Sequence, residues 1–212
     1  MKTLSREDWI DAYKEYVLEE GKEPASVYKF AKSLESEEAA FYEEFSSFST
    51  LESAIWRGLL NDTLETLNAD EDYAGYDARQ KGLAFFYTFI EHAKKNRSLM
   101  LVKFPRGSCA FTSSALCSLR EGYLEFADNL LVDGQNDGSV ADRGRANEVY
   151  SKFSLGHFFF IIEGFLGDDS QAFERTDALI EKSVNLGFDM IGTQVIDSAI
   201  DFFKFVIGPI RK

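Results

Sequence analysis

Ser26-Val27-Tyr28-Lys29-Phe30-Ala31 and, beyond a gap, Phe41-Tyr42-Glu43-Glu44-Phe45 are the runs whose spacing decides the fold. Each places apolar residues on one side of a helical turn, with a tight turn through Glu35 and Ser36 between them. Residues 25–34 and 37–45 therefore read as two short helices, with Val27, Tyr28, Phe30 and Ala31 available to pack. Upstream, Trp9, Ala12, Tyr13, Tyr16 and Val17 follow one buried stripe of a helix over residues 5–20. Ser5 is its expected cap, Glu7 and Asp8 suit the positive end of its dipole, and Gly21 stops it.

Working outward, Ser49 followed by Glu52 has the form of a capping box and opens a longer helix through Leu51, Ile55, Leu59, Leu60, Leu64 and Leu67. Helical patterns recur over residues 77–95, 97–104, 108–132, 145–166, 171–190 and 193–207, the last carrying Val195, Ile196, Ile200, Phe202, Phe203 and Val206. Residues 133–144, rich in glycine and charge, read as a solvated loop. The three prolines, Pro24, Pro105 and Pro209, fall where a helical pattern begins or stops, and strand signals are nearly absent. An all-α chain is expected. The pattern of the first three helices ends near Thr50, so the boundary is drawn there, giving a head over residues 1–50 and a body over residues 51–212.

The chain of 212 residues is 45% hydrophobic and 28% charged, which sets aside disordered and fibrous classes. Twenty Phe and nine Tyr supply more ring surface than a minimal core requires, and this points to an apolar cavity or an aromatic interface. The net charge of −13 repels phosphate backbones unless a basic patch is built locally. There is no run of eighteen apolar residues and no secretory core at the start, so a cytoplasmic location is expected. Cys109 and Cys117 read as reduced, buried structural thiols. His92 and His157 lack a second histidine or a carboxylate at i−3, so no metal site is expected. The familiar hydrolase, phosphate-loop and dinucleotide motifs are absent, so neither an enzyme nor a cofactor is expected.

Three short helices, the last two joined by a tight turn, have the shape of a helix-turn-helix unit. The run Ile10-Asp11-Ala12-Tyr13 through Gly21, then the two quoted runs and Leu51-Glu52, resembles the head of the tetracycline-repressor (TetR) family over about residues 8–60. The resemblance implies a three-helix DNA-binding head, a larger helical body for ligand binding and dimerisation, and a ligand-responsive transcriptional regulator. It also implies that Tyr42 sits on the recognition helix near the DNA backbone. Two positions depart from the pattern: Phe48 stands where the family keeps a phosphate-binding lysine, and Glu35 where it keeps a turn glycine. Residues 1–60 hold seven Lys and Arg against thirteen Asp and Glu, and Glu37, Glu38, Glu43 and Glu44 load the recognition helix with carboxylates. DNA is thus a possible partner that electrostatics disfavours. Lys22, Lys29 and Lys32, on or beside the second helix, are the phosphate-contact candidates, with solvated surface lysines as the alternative. A second possibility is a protein that binds an apolar, lipid-like ligand, or docks another protein, without DNA.

In the body, Phe85, Phe86, Phe89, Tyr123, Phe126, Phe158 and Phe159 are the candidates for lining a pocket for a small apolar ligand. Core filling is the alternative for any one of them. Phe160 and Phe165 lie on the same helices. The family forms homodimers through its late helices, which makes Phe173, Ile180, Val184 and Phe188 the dimer-interface candidates, with burial inside one chain as the alternative.

Overall fold

The computed structural model describes residues 3–138, 140 and 147–192, and among them there are ten α-helices and no strand. Residues 1–50, the expected head, hold α1 (Arg6–Glu20), α2 (Val27–Ser33) and α3 (Glu38–Glu44). The remaining helices are α4 (Phe48–Asn68), α5 (Ala78–Lys95), α6 (Arg97–Lys103), α7 (Cys109–Thr112), α8 (Cys117–Asp137), α9 (Asn147–Leu166) and α10 (Glu174–Gly192). The expected helix over residues 193–207, with its apolar residues, lies outside the described residues.

The ends of α1 are set by local chemistry. Ser5 and Asp8 form a capping box, and Gly21 closes the helix in the left-handed conformation at φ 68°. The buried face of α1, Trp9, Tyr13 and Val17, meets Phe30 from α2 and Phe41 from α3. Phe48 is drawn into this cluster and stacks on Tyr13, with ring centroids 5.4 Å apart. Tyr28 does not join it; α2 is only seven residues long, and its buried stripe is satisfied by Val27, Phe30 and Ala31, which leaves Tyr28 exposed.

The turn after α2 carries a backbone cost. Glu35 has a φ of 56°, a conformation that brings the Ser36 N–H within 3.0 Å of the Ala31 carbonyl and so satisfies the end of the helix. A β-carbon there is strained by roughly 1–2 kcal/mol.

Four other expectations are corrected. The cap of α4 is Ser47 paired with Thr50, not Ser49 with Glu52. Glu52 is instead turned into the interior, and the Ser49 hydroxyl pairs with that of Ser114 at 2.7 Å. The expected helix over residues 108–132 breaks at Ser113, where the Arg120 guanidinium takes up the freed carbonyls of Ala110 and Ser113. Its second part then runs on to Asp137, so residues 133–137 are helix rather than loop. Asp133 pairs with Lys81, and Asp137 accepts the Ala78 N–H at the start of α5. Cys109 and Cys117 are free but exposed, not buried, because the break turns both to the surface.

The body is layered around ring stacks. Helix α4 packs on α5 and α8, α5 on α8 and α10, and α9 on α8 and α10, while α1 of the head rests on α6. Phe85 stacks on Phe126 and Tyr123 on Phe158, both pairs with centroids 4.1 Å apart. The corner before α10 is held by Asp168. Burial works to raise its pKa, but bonds from the hydroxyls and N–H groups of Ser170 and Thr176 outweigh this and hold the carboxyl well below the usual range.

Replacing Glu35 with glycine removes the left-handed strain at the cost of a more flexible unfolded chain, with a net gain of about 0.5–1 kcal/mol. In urea unfolding, Glu35→Gly is expected to shift the midpoint upward; an unchanged or lower midpoint would contradict the turn geometry.

Candidate functional site

A partly open cavity of about 90 Å³ lies between α5, α8, α9 and α10. Its walls come from Gly82 and Phe86 on α5, Tyr123, Phe126 and Leu130 on α8, Phe153, Ser154 and His157 on α9, and Val184 and Phe188 on α10. Gly82 keeps this space open by omission: a β-carbon there would stand 3.1 Å from Phe188 and 3.6 Å from Leu130. Of the residues expected to line a pocket, Phe86, Tyr123 and Phe126 do so. Phe85, Phe89, Phe158 and Phe159 stand behind that wall in the packed core, where Phe89 meets Phe158 edge-on at 5.0 Å.

Two polar pairs interrupt the apolar wall. The Tyr123 hydroxyl lies 2.7 Å from the Ser154 hydroxyl and 3.2 Å from the Ser154 carbonyl. Burial pushes its phenol pKa up, against the smaller opposing effect of the Ser154 bond. His157 places Nε2 2.7 Å from the Ser183 hydroxyl, and its ring meets Phe86 at 5.2 Å. Burial pushes the His157 imidazole down from 6.5 to about 4, so it is neutral at physiological pH. The sequence says of this histidine only that it lacks the spacing of a metal ligand. Its place opposite Ser183 on a neighbouring helix is a tertiary fact without a local signal.

The late apolar residues point mostly inward. Ile180 and Val184 are buried within the chain, Phe188 lines the cavity, and Phe173 packs on Phe165 with the Arg97 guanidinium 5.2 Å from its ring. A different set faces out: Phe153, Phe160, Leu186 and Met190 are exposed on adjacent stretches of α9 and α10 and line a shallow groove. One signal in the sequence marks the α9 part of this face: the unbroken apolar run over residues 158–162 turns more than one side of the helix towards cover.

On the head, Lys22, Lys29 and Lys32 are exposed and none forms an ion pair among the described residues; the Lys32 ammonium lies 5.8 Å from the Tyr28 ring. Tyr42 is half-exposed and edge-on to Phe41. Helix α3 carries Glu38, Glu43 and Glu44 and no basic residue, and Arg6 on α1 donates to the Glu44 carbonyl at 2.8 Å. Phe48 packs its ring inward. Its contribution to the surface is apolar. No group of three or more metal-ligating side chains occurs among the described residues, and no described helix is long and apolar enough to cross a membrane.

A family model described as the C-terminal domain of tetracyclin repressor-like proteins matches residues 81–206, more than half of the chain and all of the cavity-lining elements named above. No curated protein and no solved structure matches the chain.

The buried imidazole has a stability consequence with a definite sign. The unfolded chain protonates this histidine near 6.5, whereas the folded chain resists until about 4. Its contribution is therefore present above 6.5 and is lost as pH falls towards 4. The melting temperature of the wild type is expected to fall more steeply across this interval than that of His157→Leu; parallel curves would contradict the assignment.

Proposed function

The chain belongs to the tetracyclin repressor-like family, and from that premise we propose that it is a homodimeric regulator whose effector is a small apolar molecule held between α5, α8, α9 and α10. The observation that carries this reading is the cavity itself. It is lined by aromatic and aliphatic side chains with a few converging polar groups, the composition of small-molecule sites. An effector acts there by preferring one arrangement of the body helices over another. The outward faces of α9 and α10, with Phe153, Phe160, Leu186 and Met190, are the proposed dimer surface, since a two-fold axis would cover them with a copy of themselves. This moves the interface away from Phe173, Ile180, Val184 and Phe188.

For the head, two readings differ in partner. In the first, Lys22, Lys29 and Lys32 anchor phosphates while Tyr42 and the acidic α3 approach the groove, where a glutamate can accept from cytosine. In the second, the head docks a protein and no DNA is bound. The carboxylates of α3 and the inward Phe48 favour the second.

Retention of genomic fragments at low and moderate salt separates these readings. DNA control requires retention that falls steeply with salt and weakens in Lys29→Gln and Lys32→Gln, each contact lowering the salt slope by about 1. No retention at either salt would leave the protein-docking reading. For the dimer, light scattering is expected to give the mass of two chains for the wild type and of one for the Phe160→Glu, Leu186→Glu double variant. A monomeric wild type, or a variant that remains dimeric, would remove α9 and α10 as the interface.

A further inference from the structure

We propose that the groove between α4 and the start of α8 is a second binding site, separate from the apolar cavity, and that it takes a small tetrahedral oxyanion, phosphate or a phosphomonoester, on Arg57. The site is built by register. Ser49, Ser53, Arg57 and Asn61 recur every four residues and so share one face of α4. Ser114, Ser118 and Gly122 repeat the interval along the start of α8 and the turn before it. The two rows meet rung by rung: the Ser49 and Ser114 hydroxyls at 2.7 Å, those of Ser53 and Ser118 at 3.0 Å, and the Arg57 guanidinium against Gly122, where a β-carbon would collide with it. The serines, Arg57 and Asn61 line an open groove of about 520 Å³, joined by Arg6 of α1.

At Arg57 this ladder holds a cation in place with neutral groups alone. The residue is half-buried, and its guanidinium donates from Nε to the Asn61 side-chain oxygen at 3.0 Å and from Nη1 to the Ser118 carbonyl at 3.1 Å. It forms no ion pair among the described residues, so its partial withdrawal from water is not offset by an opposite charge there. Two of the five guanidinium N–H groups are used, which leaves three as donors. The hydroxyls add to these. In each serine pair one hydroxyl donates to the other, and the accepting one keeps a proton with no acceptor among the described residues. Such protons rotate to meet an acceptor, so no further rearrangement of the rungs is needed. Donors from a flat guanidinium and from hydroxyls on two segments do not share a plane, which suits the oxygens of a tetrahedral anion better than the two of a carboxylate. Two carboxylates border the groove through its lining residues, and both face other partners: Glu121 accepts the Cys117 thiol at 3.2 Å, and Glu44 lies 3.8 Å from Arg6. Arg57 lies in the third turn of α4 and against α8, so this site is distinct from the phosphate-contact candidates on and beside α2.

The test is a titration of the 15N-labelled full chain followed by amide chemical shifts, at constant ionic strength set with sodium chloride. The probes are inorganic phosphate, glycerol 3-phosphate and, as the uncharged control, glycerol. With a net charge of −13 the chain repels anions in general, so saturable uptake marks a local site. The wild type is expected to show saturable shifts with phosphate or glycerol 3-phosphate, within residues 49–61 and 114–122, and none with glycerol. Loss of charge-assisted bonds in Arg57→Gln is expected to raise the dissociation constant at least about tenfold, and loss of one neutral donor in Ser118→Ala about three- to tenfold. Arg57→Lys, which keeps the charge and loses the fork, is expected to lie between wild type and Arg57→Gln; if Arg57→Gln does not fold, Arg57→Lys and Ser118→Ala carry the comparison. Tighter binding of glycerol 3-phosphate than of phosphate would identify a phosphomonoester as the ligand, and the reverse order the free ion; both support the site. No saturable response to either anion, shifts confined to other residues, or an affinity unchanged in these variants would overturn it, and would leave the reading of the apolar cavity untouched.

Discussion

The buried carboxylate of Glu52 joins head to body. It lies on α4, 7% exposed, and accepts the hydroxyl of Tyr13 from α1. The same oxygen, Oε1, also takes the ammonium of Lys103 from α6 at 2.7 Å, and that ammonium reaches Glu23, just beyond α1, at 3.0 Å. A carboxylate at this depth is tolerated only while its partners are in place. Burial raises the Tyr13 phenol pKa, and the Glu52 bond and charge raise it further, so the donor is never lost near neutrality. For Lys103 burial works downward, yet the bonds to Glu52 and Glu23 outweigh it and the net shift is upward. That contribution is thus present below the ordinary lysine value and is lost only as pH rises through the elevated one.

This arrangement gives the effector reading a physical route. Below Glu52, α4 continues as the rod of Ile55, Leu59, Leu60 and Leu67, which packs on α5 and α8. Those two helices bear Gly82, Phe86, Tyr123 and Phe126 on the cavity side. A ring entering between α8 and α9 would displace elements that touch α4 directly, while α6 holds the other end of the Glu52 bridge. Spatial continuity of this kind makes coupling feasible, and it becomes a coupling only if both sites bias the same two arrangements.

Much of the architecture was legible because it is local. Ser5, Gly21 and the stripe of Trp9, Tyr13 and Val17 obey rules that act within one helix. Ser49 with Glu52 matched a local rule just as well and was wrong, since the interior claimed the carboxylate and Ser47 with Thr50 took its place at the cap. The break at Ser113 was hidden for a similar reason: its carbonyls are satisfied by Arg120, a residue one helix further on. Ring content pointed to a cavity, but periodicity says which residues face inward, not which inward residues surround a void. Phe85 and Phe158 fill space while Phe86 and Tyr123 bound it, and that division depends on how four helices meet. The same holds for Val184 and Phe188, whose inward direction left the outer faces of α9 and α10 to Phe160 and Leu186.

The claim that Glu52 binds head and body into one coupled unit is tested most directly by a double-mutant cycle between Tyr13→Phe and Lys103→Met, read by urea unfolding. These residues lie on different helices, α1 and α6, and share the Glu52 carboxylate. The bridge predicts that the loss in the double variant departs from the sum of the single losses by more than about 0.5 kcal/mol. Additive losses would show that the two contacts of Glu52 act independently, and would contradict the account.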